Sequence, residues 1–274
     1  MSDTVWWGAT GPLALLLAAL VSTRGGWRGA RAAARLNLGL ALGAVAWVIA
    51  HGPVRSSLLG VHGFGVSLVF DPLGVSLFAM VALLGVVLVR FSERYLHGDP
   101  RQLSFAGWLS AALATVQLLV VSGNLVGLFV AWVGSSLFFH RLLTFFQTRP
   151  RARLGGRKKW WTMRIGDAAL AGAFVLLAQR YQTGEIAAVL EGVSAESELP
   201  ATVAMAAGLL VAAAALKSVQ FPLHGWILDV VEAPTPVSAL LHAGIVNGGG
   251  FLLLRFLGVV SATEAALVAL AIIG

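Results

Sequence analysis

Lys217 follows Leu199 to Leu216, a run without one charged residue, and the polar sequence Lys217-Ser-Val-Gln-Phe-Pro-Leu-His-Gly-Trp begins with it. Pro222, Pro234 and Pro236 follow, with His224 nearby and His242 set in a second apolar stretch. A charge at bilayer depth costs a few kcal/mol on insertion scales, and a proline inside a helix costs roughly 3 kcal/mol or more. Their clustering predicts a polar path through an apolar protein. An amine removed from water can hold or release a proton near neutral pH, which suits a relay site. Near a helix end, the same lysine could also snorkel to the interface. Pro222 frees backbone groups that are tolerated only beside protein or water, so a hydrated pocket is expected next to Lys217.

Imidazole accepts on one nitrogen and donates from the other, so His242 can relay a proton or serve as a satisfied core donor. Asn247 and Gly248-Gly249-Gly250 come after it, and close helix packing accounts for these glycines. Arg164 and Asp167 stand three residues apart on one helix face, as a neutralising pair or a switchable one. His140 lies near the end of an apolar segment and could reach the same polar layer. Asp229 and Glu232 mark a turn, where they cap a helix or bind a cation. The six histidines form no i, i+4 pair and no HExxH, and no GxxxxGK[ST] loop occurs. Catalysis by this chain alone is not expected.

These residues need apolar elements to hold them. The chain of 274 residues is 58% hydrophobic and 11% charged, with a mean hydropathy of +0.86. This describes an all-α polytopic membrane protein. With no cysteine there are no disulfides, thiolate zinc sites or iron–sulfur ligands. About eight complete transmembrane helices and the start of a ninth are expected: Val5 to about Ser22, 36–50, Asp71-Pro72 to about Arg90, two segments divided at Ser122-Gly123-Asn124, one from Trp160 to Ala178, 200–221 broken near Pro222, and 237–257. The ninth begins at Ala265. Residues 141–159 read as a basic loop and the stretch from Glu185 to Glu198 as an acidic one. Phe64, Val66, Leu68 and Phe70 alternate with less apolar neighbours, predicting a short β-hairpin between spans two and three. In this topology the basic loops share one side, which places the N-terminus outside. The net charge of +7 is thereby assigned to membrane topology and not to nucleic acid.

The Lys217–Trp226 sequence, with Pro234-Thr-Pro-Val-Ser-Ala-Leu-Leu-His242, resembles the proton-antiporter-type membrane subunits. That superfamily includes the large distal subunit of complex I and the multisubunit sodium/proton antiporters. The resemblance extends through Arg164-Ile-Gly-Asp167 and Phe70-Asp71-Pro-Leu-Gly and covers most of the chain after residue 60. It implies that Lys217 is the lysine of a proton path, His242 a relay histidine, and Arg164 and Asp167 the nearby pair. It also divides the chain into spans one and two (1–60) and an antiporter-like transmembrane domain (61–274) that is incomplete at its C-terminus. Complex I subunits carry a glutamate in a W-E-G pattern, where this sequence has Trp132-Val133-Gly134. His140, two turns on, is the candidate replacement. The missing glutamate and the segment after His242 resemble the membrane subunit of the Dab-type inorganic carbon pump. That resemblance implies a large cytoplasmic, carbonic-anhydrase-like partner, with zinc in the partner and no cofactor here. It also implies a bacterial inner-membrane location. The alternatives are complex I, with its other membrane subunits as partners, and a sodium/proton antiporter.

Overall fold

A computed structural model describes residues 3–146, 150–220, 224, 225, 227 and 233–273, except for the side chains at 3, 4, 23–25, 150–153 and 243. A 3-10 turn (Asp3–Ala9) leads into α1 (Thr10–Leu20) and α2 (Ser22–His51). Four short strands follow: β1 (Val54–Arg55), β2 (Leu59–Val61), β3 (Phe64–Val66) and β4 (Val69–Phe70). The helices after them are α3 (Pro72–Tyr95), α4 (Gln102–Val121), α5 (Leu125–Leu143), α6 (Pro150–Tyr181), α7 (Ile186–Ala195) and α8 (Ala201–Lys217). Next come α9 (Thr235–Leu240), a π turn (Leu241–Ile245), α10 (Asn247–Arg255), α11 (Leu257–Ser261) and α12 (Glu264–Ile273).

Among the described residues, five helical segments are long and apolar enough to cross a membrane: Gly26–His51, Pro72–Tyr95, Gln102–Val121, Leu125–Leu143 and Leu154–Tyr181. Val5–Leu20, Ile186–Ala195, Ala201–Lys217 and Glu264–Ile273 are shorter apolar helices. The chain is thus a multi-pass membrane protein with a mostly helical fold. Its central helix is α4, which has no charged residue and packs against α1, α2, α3 and α5. On the other side, α8 lies among α6, α10, α11 and α12.

The expected division at Ser122-Gly123-Asn124 is present, and its chemistry is visible. Asn124 has an extended backbone and its side chain accepts from the Val126 amide, capping α5. Asp71 caps α3 in the same way through the Gly74 amide, ahead of Pro72 at the first helical position. The expected hairpin is also there as two nested antiparallel pairs, with Leu59 opposite Val66 and Val54 opposite Phe70. His62 and Gly63, with φ of 53° and 81°, form the tight turn.

Four expectations are corrected. Span two begins well before residue 36, because the arginine-rich stretch after Gly26 is helical; alanine and arginine are strong helix formers. The joint is Gly26, with φ of 53°. The basic loop 141–159 is helical from Pro150 onward. The acidic loop contains α7, whose Ile186, Val189 and Val193 form a buried stripe. Helix α8 ends at Lys217, ahead of Pro222, which lies outside the described residues together with Asp229 and Glu232.

One end of the bundle is cross-bonded. The Arg255 guanidinium, on α10, is paired with the Asp71 carboxylate and donates to the Val120 carbonyl at 3.2 Å. Beside it, Glu185 accepts from Asn124 Nδ2 at 2.8 Å and Ser67 Oγ at 2.9 Å. This joins the hairpin, the α4–α5 turn and the start of α7. This ion pair is only part-buried, so removing one partner costs less than the ~3–5 kcal/mol of a fully buried pair, and losing an N-cap costs about 1 kcal/mol. Asp71→Ala is expected to lower the thermal midpoint of the full-length protein in detergent more than Asp71→Asn, which keeps the cap acceptor. Equal midpoints for the two variants would show that the cap carries no weight.

Candidate ion-translocation site

The last residue of α8 is Lys217, whose side chain is 2% exposed. Seventeen residues rise about 25 Å, less than the roughly 30 Å hydrocarbon core, so α8 by itself is too short to span it. Its end is a Schellman turn: the Gln220 amide donates to the Ala215 carbonyl at 3.1 Å around Val219, which has φ of 60°. A β-branched residue in the left-handed region is strained, so tertiary packing holds this end in place. The packing comes from α10, where a Cβ at Gly249 would meet the Ser218 hydroxyl and the Ala214 carbonyl. Ser218 Oγ also donates to the Val246 carbonyl at 3.0 Å. Close packing, as read from the sequence, is therefore what these glycines provide.

The Lys217 ammonium has three donors, and α5 receives all three. It donates to the Trp132 carbonyl at 3.2 Å, Ser135 Oγ at 3.1 Å and Ser136 Oγ at 2.7 Å. The indole of Trp132 lies 4.3 Å from the ammonium, within cation–π range. Trp132, Ser135, Ser136, Phe139 and His140 share one face of α5 by their i, i+3, i+4 spacing. Among the described residues, no carboxylate forms an ion pair with Lys217. A ring and three oxygen dipoles hold it instead.

Asp167 and Arg164 pair as their spacing predicts, at 2.5 Å, with Asp167 6% exposed and Arg164 resting 4.9 Å over Trp160. Gly166 sets the approach of α6 to α8, since a Cβ there would stand 3.3 Å from Leu216 Cβ. This close contact places the neighbours Asp167 and Lys217 at the same level of the α6–α8 seam.

His140 does not occupy the place expected for it at Lys217. Its ring packs against Trp160 at 5.1 Å, one turn beyond Ser136, and its buried Nδ1 has no hydrogen-bond partner. His242 lies on the π turn with its side chain exposed, and its carbonyl accepts from Asn247 Nδ2 at 3.1 Å. Gly248, one residue further on, is what faces the Lys217 stem; a Cβ there would sit 3.7 Å from Lys217 Cε. Glu232 falls outside the described residues. Among the described residues, no three His, Asp or Glu side chains converge as a metal site.

Lys159 is the residue that the sequence reading missed. Placed by its basic neighbours in a loop, it is 1% exposed on α6 and donates to the Ser136 carbonyl at 2.6 Å. Lys159, Met163 and Asp167 recur every four residues and are all buried. That period was visible in the sequence and marks the inner face of α6.

Residues 122–274 match the transmembrane family of NADH:quinone oxidoreductases and Mrp antiporters. The chain belongs to this family. It is an antiporter-like membrane subunit, and its relatives come from several assemblies. It is 41% identical over 196 residues to the probable inorganic carbon transporter subunit DabB of Hydrogenovibrio crunogenus, covering 71% of this chain and 38% of that protein. With DabB2 of Halothiobacillus neapolitanus it shares 40% identity over 216 residues, covering 78% and 39% of the two chains. With NADH-quinone oxidoreductase subunit L of Mycobacterium tuberculosis it shares 37% over 187 residues, covering 68% and 29%. The chain thus spans about two-fifths of the length of the DabB relatives. Among solved structures, a chain of the Mrp complex from Dietzia superposes with a TM-score of 0.84 at 28% identity, over 97% of this chain and 30% of that one.

Burying a cation that is in no direct ion pair is costly even when its hydrogen bonds are made. Lys217→Met, similar in length and free of charge, is therefore expected to leave the thermal midpoint of the full-length protein unchanged or raised. A lowered midpoint would show that the ammonium's bonds to α5 and the nearby Asp167 charge outweigh its desolvation.

Proposed function

We propose that this chain is part of the cation-translocating membrane subunit of an inorganic carbon transporter. Protons or sodium ions move down their gradient through the polar layer at Lys217 and Asp167, with Arg164 setting the charge of Asp167. His242, between α9 and α10, extends the path, and Glu232 is included in it as expected from the sequence. That flow drives a large cytoplasmic partner resembling a carbonic anhydrase, which holds the zinc and hydrates CO2 to bicarbonate. The proposal includes eight complete spans, a bacterial inner-membrane location and an N-terminus outside.

The observation that carries this reading is the cradle of Lys217. Trp132 is followed by Val133, where complex I subunits resemble one another in carrying a glutamate, and serine hydroxyls and a backbone carbonyl receive the ammonium. The relatives named as inorganic carbon transporter subunits, at 41% and 40% identity, support the same assignment. A second reading, a subunit of NADH-quinone oxidoreductase or of an Mrp antiporter, is supported by the 37% identity to subunit L and by the Mrp likeness.

The test is growth of a carbonic-anhydrase-deficient bacterium in ambient CO2 carrying the full-length gene and the neighbouring partner gene. Rescue is expected with both genes, and Lys217→Ala is expected to reduce it to the level of an empty vector. Rescue that persists in Lys217→Ala would remove the lysine from the mechanism. Failure of the unaltered pair, with quinone-oxidoreductase or small antiporter genes alongside, would favour the second reading.

A further inference from the structure

Lys159 has no part in the path described so far, yet it is buried as completely as Lys217. Both amines bind the same residue. Lys217 Nζ donates to Ser136 Oγ at 2.7 Å, and Lys159 Nζ donates to the Ser136 carbonyl at 2.6 Å. Phe139, one turn along, has its ring 5.2 Å from the Lys159 amine. Two ammonium groups on one serine repel strongly in a low-dielectric interior, and such a pair takes up and releases protons jointly.

Their depths differ in a useful way. Lys159 precedes Asp167 by eight residues on α6, about 12 Å along the axis, toward the end bearing the 141–159 basic segment. His140 is displaced from Ser136 in that direction by one turn of α5, and its ring contacts Trp160, the neighbour of Lys159. An open cavity of about 460 Å3 lies there, lined by Trp108, Leu137, Phe138, His140, Arg141 and Trp160. Among the described residues, Ser136, Lys159 and the buried Nδ1 of His140 lead from Lys217 toward this cavity.

We propose that Lys159 is a second proton-carrying site, which takes a proton from Lys217 by way of Ser136 and passes it to the cavity beside His140. This deepens the cation-translocation reading and rests on it. In the transfer, the neutral Lys159 amine turns from the carbonyl to the hydroxyl of Ser136. An N–H bond of Lys217 breaks as an O–H bond forms on Ser136 Oγ, and the original Ser136 O–H breaks as an N–H forms on Lys159. One proton and one positive charge move from Lys217 to Lys159, and Ser136 is unchanged. His140 Nδ1, buried and without a hydrogen-bond partner, is the next acceptor.

The competing role for Lys159 is a structural donor to the Ser136 carbonyl. Lys159→Gln and Lys159→Arg both supply an N–H to that carbonyl, and neither cycles a proton. The measurement is proton uptake, driven by a pH gradient, into vesicles containing the full-length protein with its partner. Both variants are expected to lower uptake by about tenfold or more. Uptake at the unaltered rate in either one overturns the proposal. Ser136→Ala keeps the carbonyl and removes the hydroxyl; it is expected to slow uptake, with Ser136→Thr restoring it. This pair decides the matter if the Lys159 variants do not fold. Unimpaired uptake in Ser136→Ala also overturns the proposal. An unaltered protein that moves sodium but no protons overturns the role of Lys159 and leaves cation translocation standing. One that moves neither ion overturns the translocation reading itself.

Discussion

A cation held inside an apolar bundle, with no ion-paired carboxylate among the described residues, is the constraint on which the rest of this structure depends. Lys217 can stay there because three oxygen acceptors and the Trp132 ring converge on its ammonium. That convergence requires α5 to present Trp132, Ser135 and Ser136 on one face and α8 to end at the right depth. It also requires α10 to close over the lysine stem at Gly248 and α6 to approach α8 at Gly166, against Leu216. Hydrogen bonds to a charged group contribute about 1.5–3 kcal/mol each, so they offset only part of the desolvation cost. The remainder is a cost that this one buried side chain imposes on the fold.

Irregular backbone gathers around the same place. Helix α8 stops in a turn that forces Val219 to a positive φ, and a π turn carries His242 between α9 and α10. Strained residues and π turns are frequent at functional sites. Both leave backbone groups outside regular helix bonding at a depth where lipid could not satisfy them. Here Ser218 supplies one of the missing bonds, to the Val246 carbonyl.

Much of this was legible in the sequence. Lys217 announced itself because one charge in an apolar run is conspicuous, and the spacing of Arg164 and Asp167 gave their pairing. The Asp71-Pro72 start of α3 and the break before Leu125 carried their own capping chemistry. Lys159 was hidden for the opposite reason: it lies in a run with Arg157 and Lys158, and local charge density suggested solvent. Only its four-residue period with Met163 and Asp167 showed the inward face. The arginines of α2 misled similarly, since helix propensity continued the helix through residues that positive charge seemed to assign to a loop. The exposed position of His242 follows from the π turn, whose extra residue shifts the helical register beyond what a 3.6-residue period predicts.

The cross-bonded end of the bundle has a mechanical consequence. Helix α5 starts at that end, fixed by Asn124 to Glu185 and, through the adjoining turn, to the hairpin. Ser136 hangs from this anchorage by about 17 Å of helix. A rod fixed at one end turns a small rotation into a displacement that grows with length. Tilting α5 by about 5° would carry Ser136 about 1.5 Å, enough to make or break a hydrogen bond. Were α5 to pivot, the Asn124–Glu185 anchorage would be its fulcrum, and the two lysine contacts of Ser136 would lie on the arm that moves.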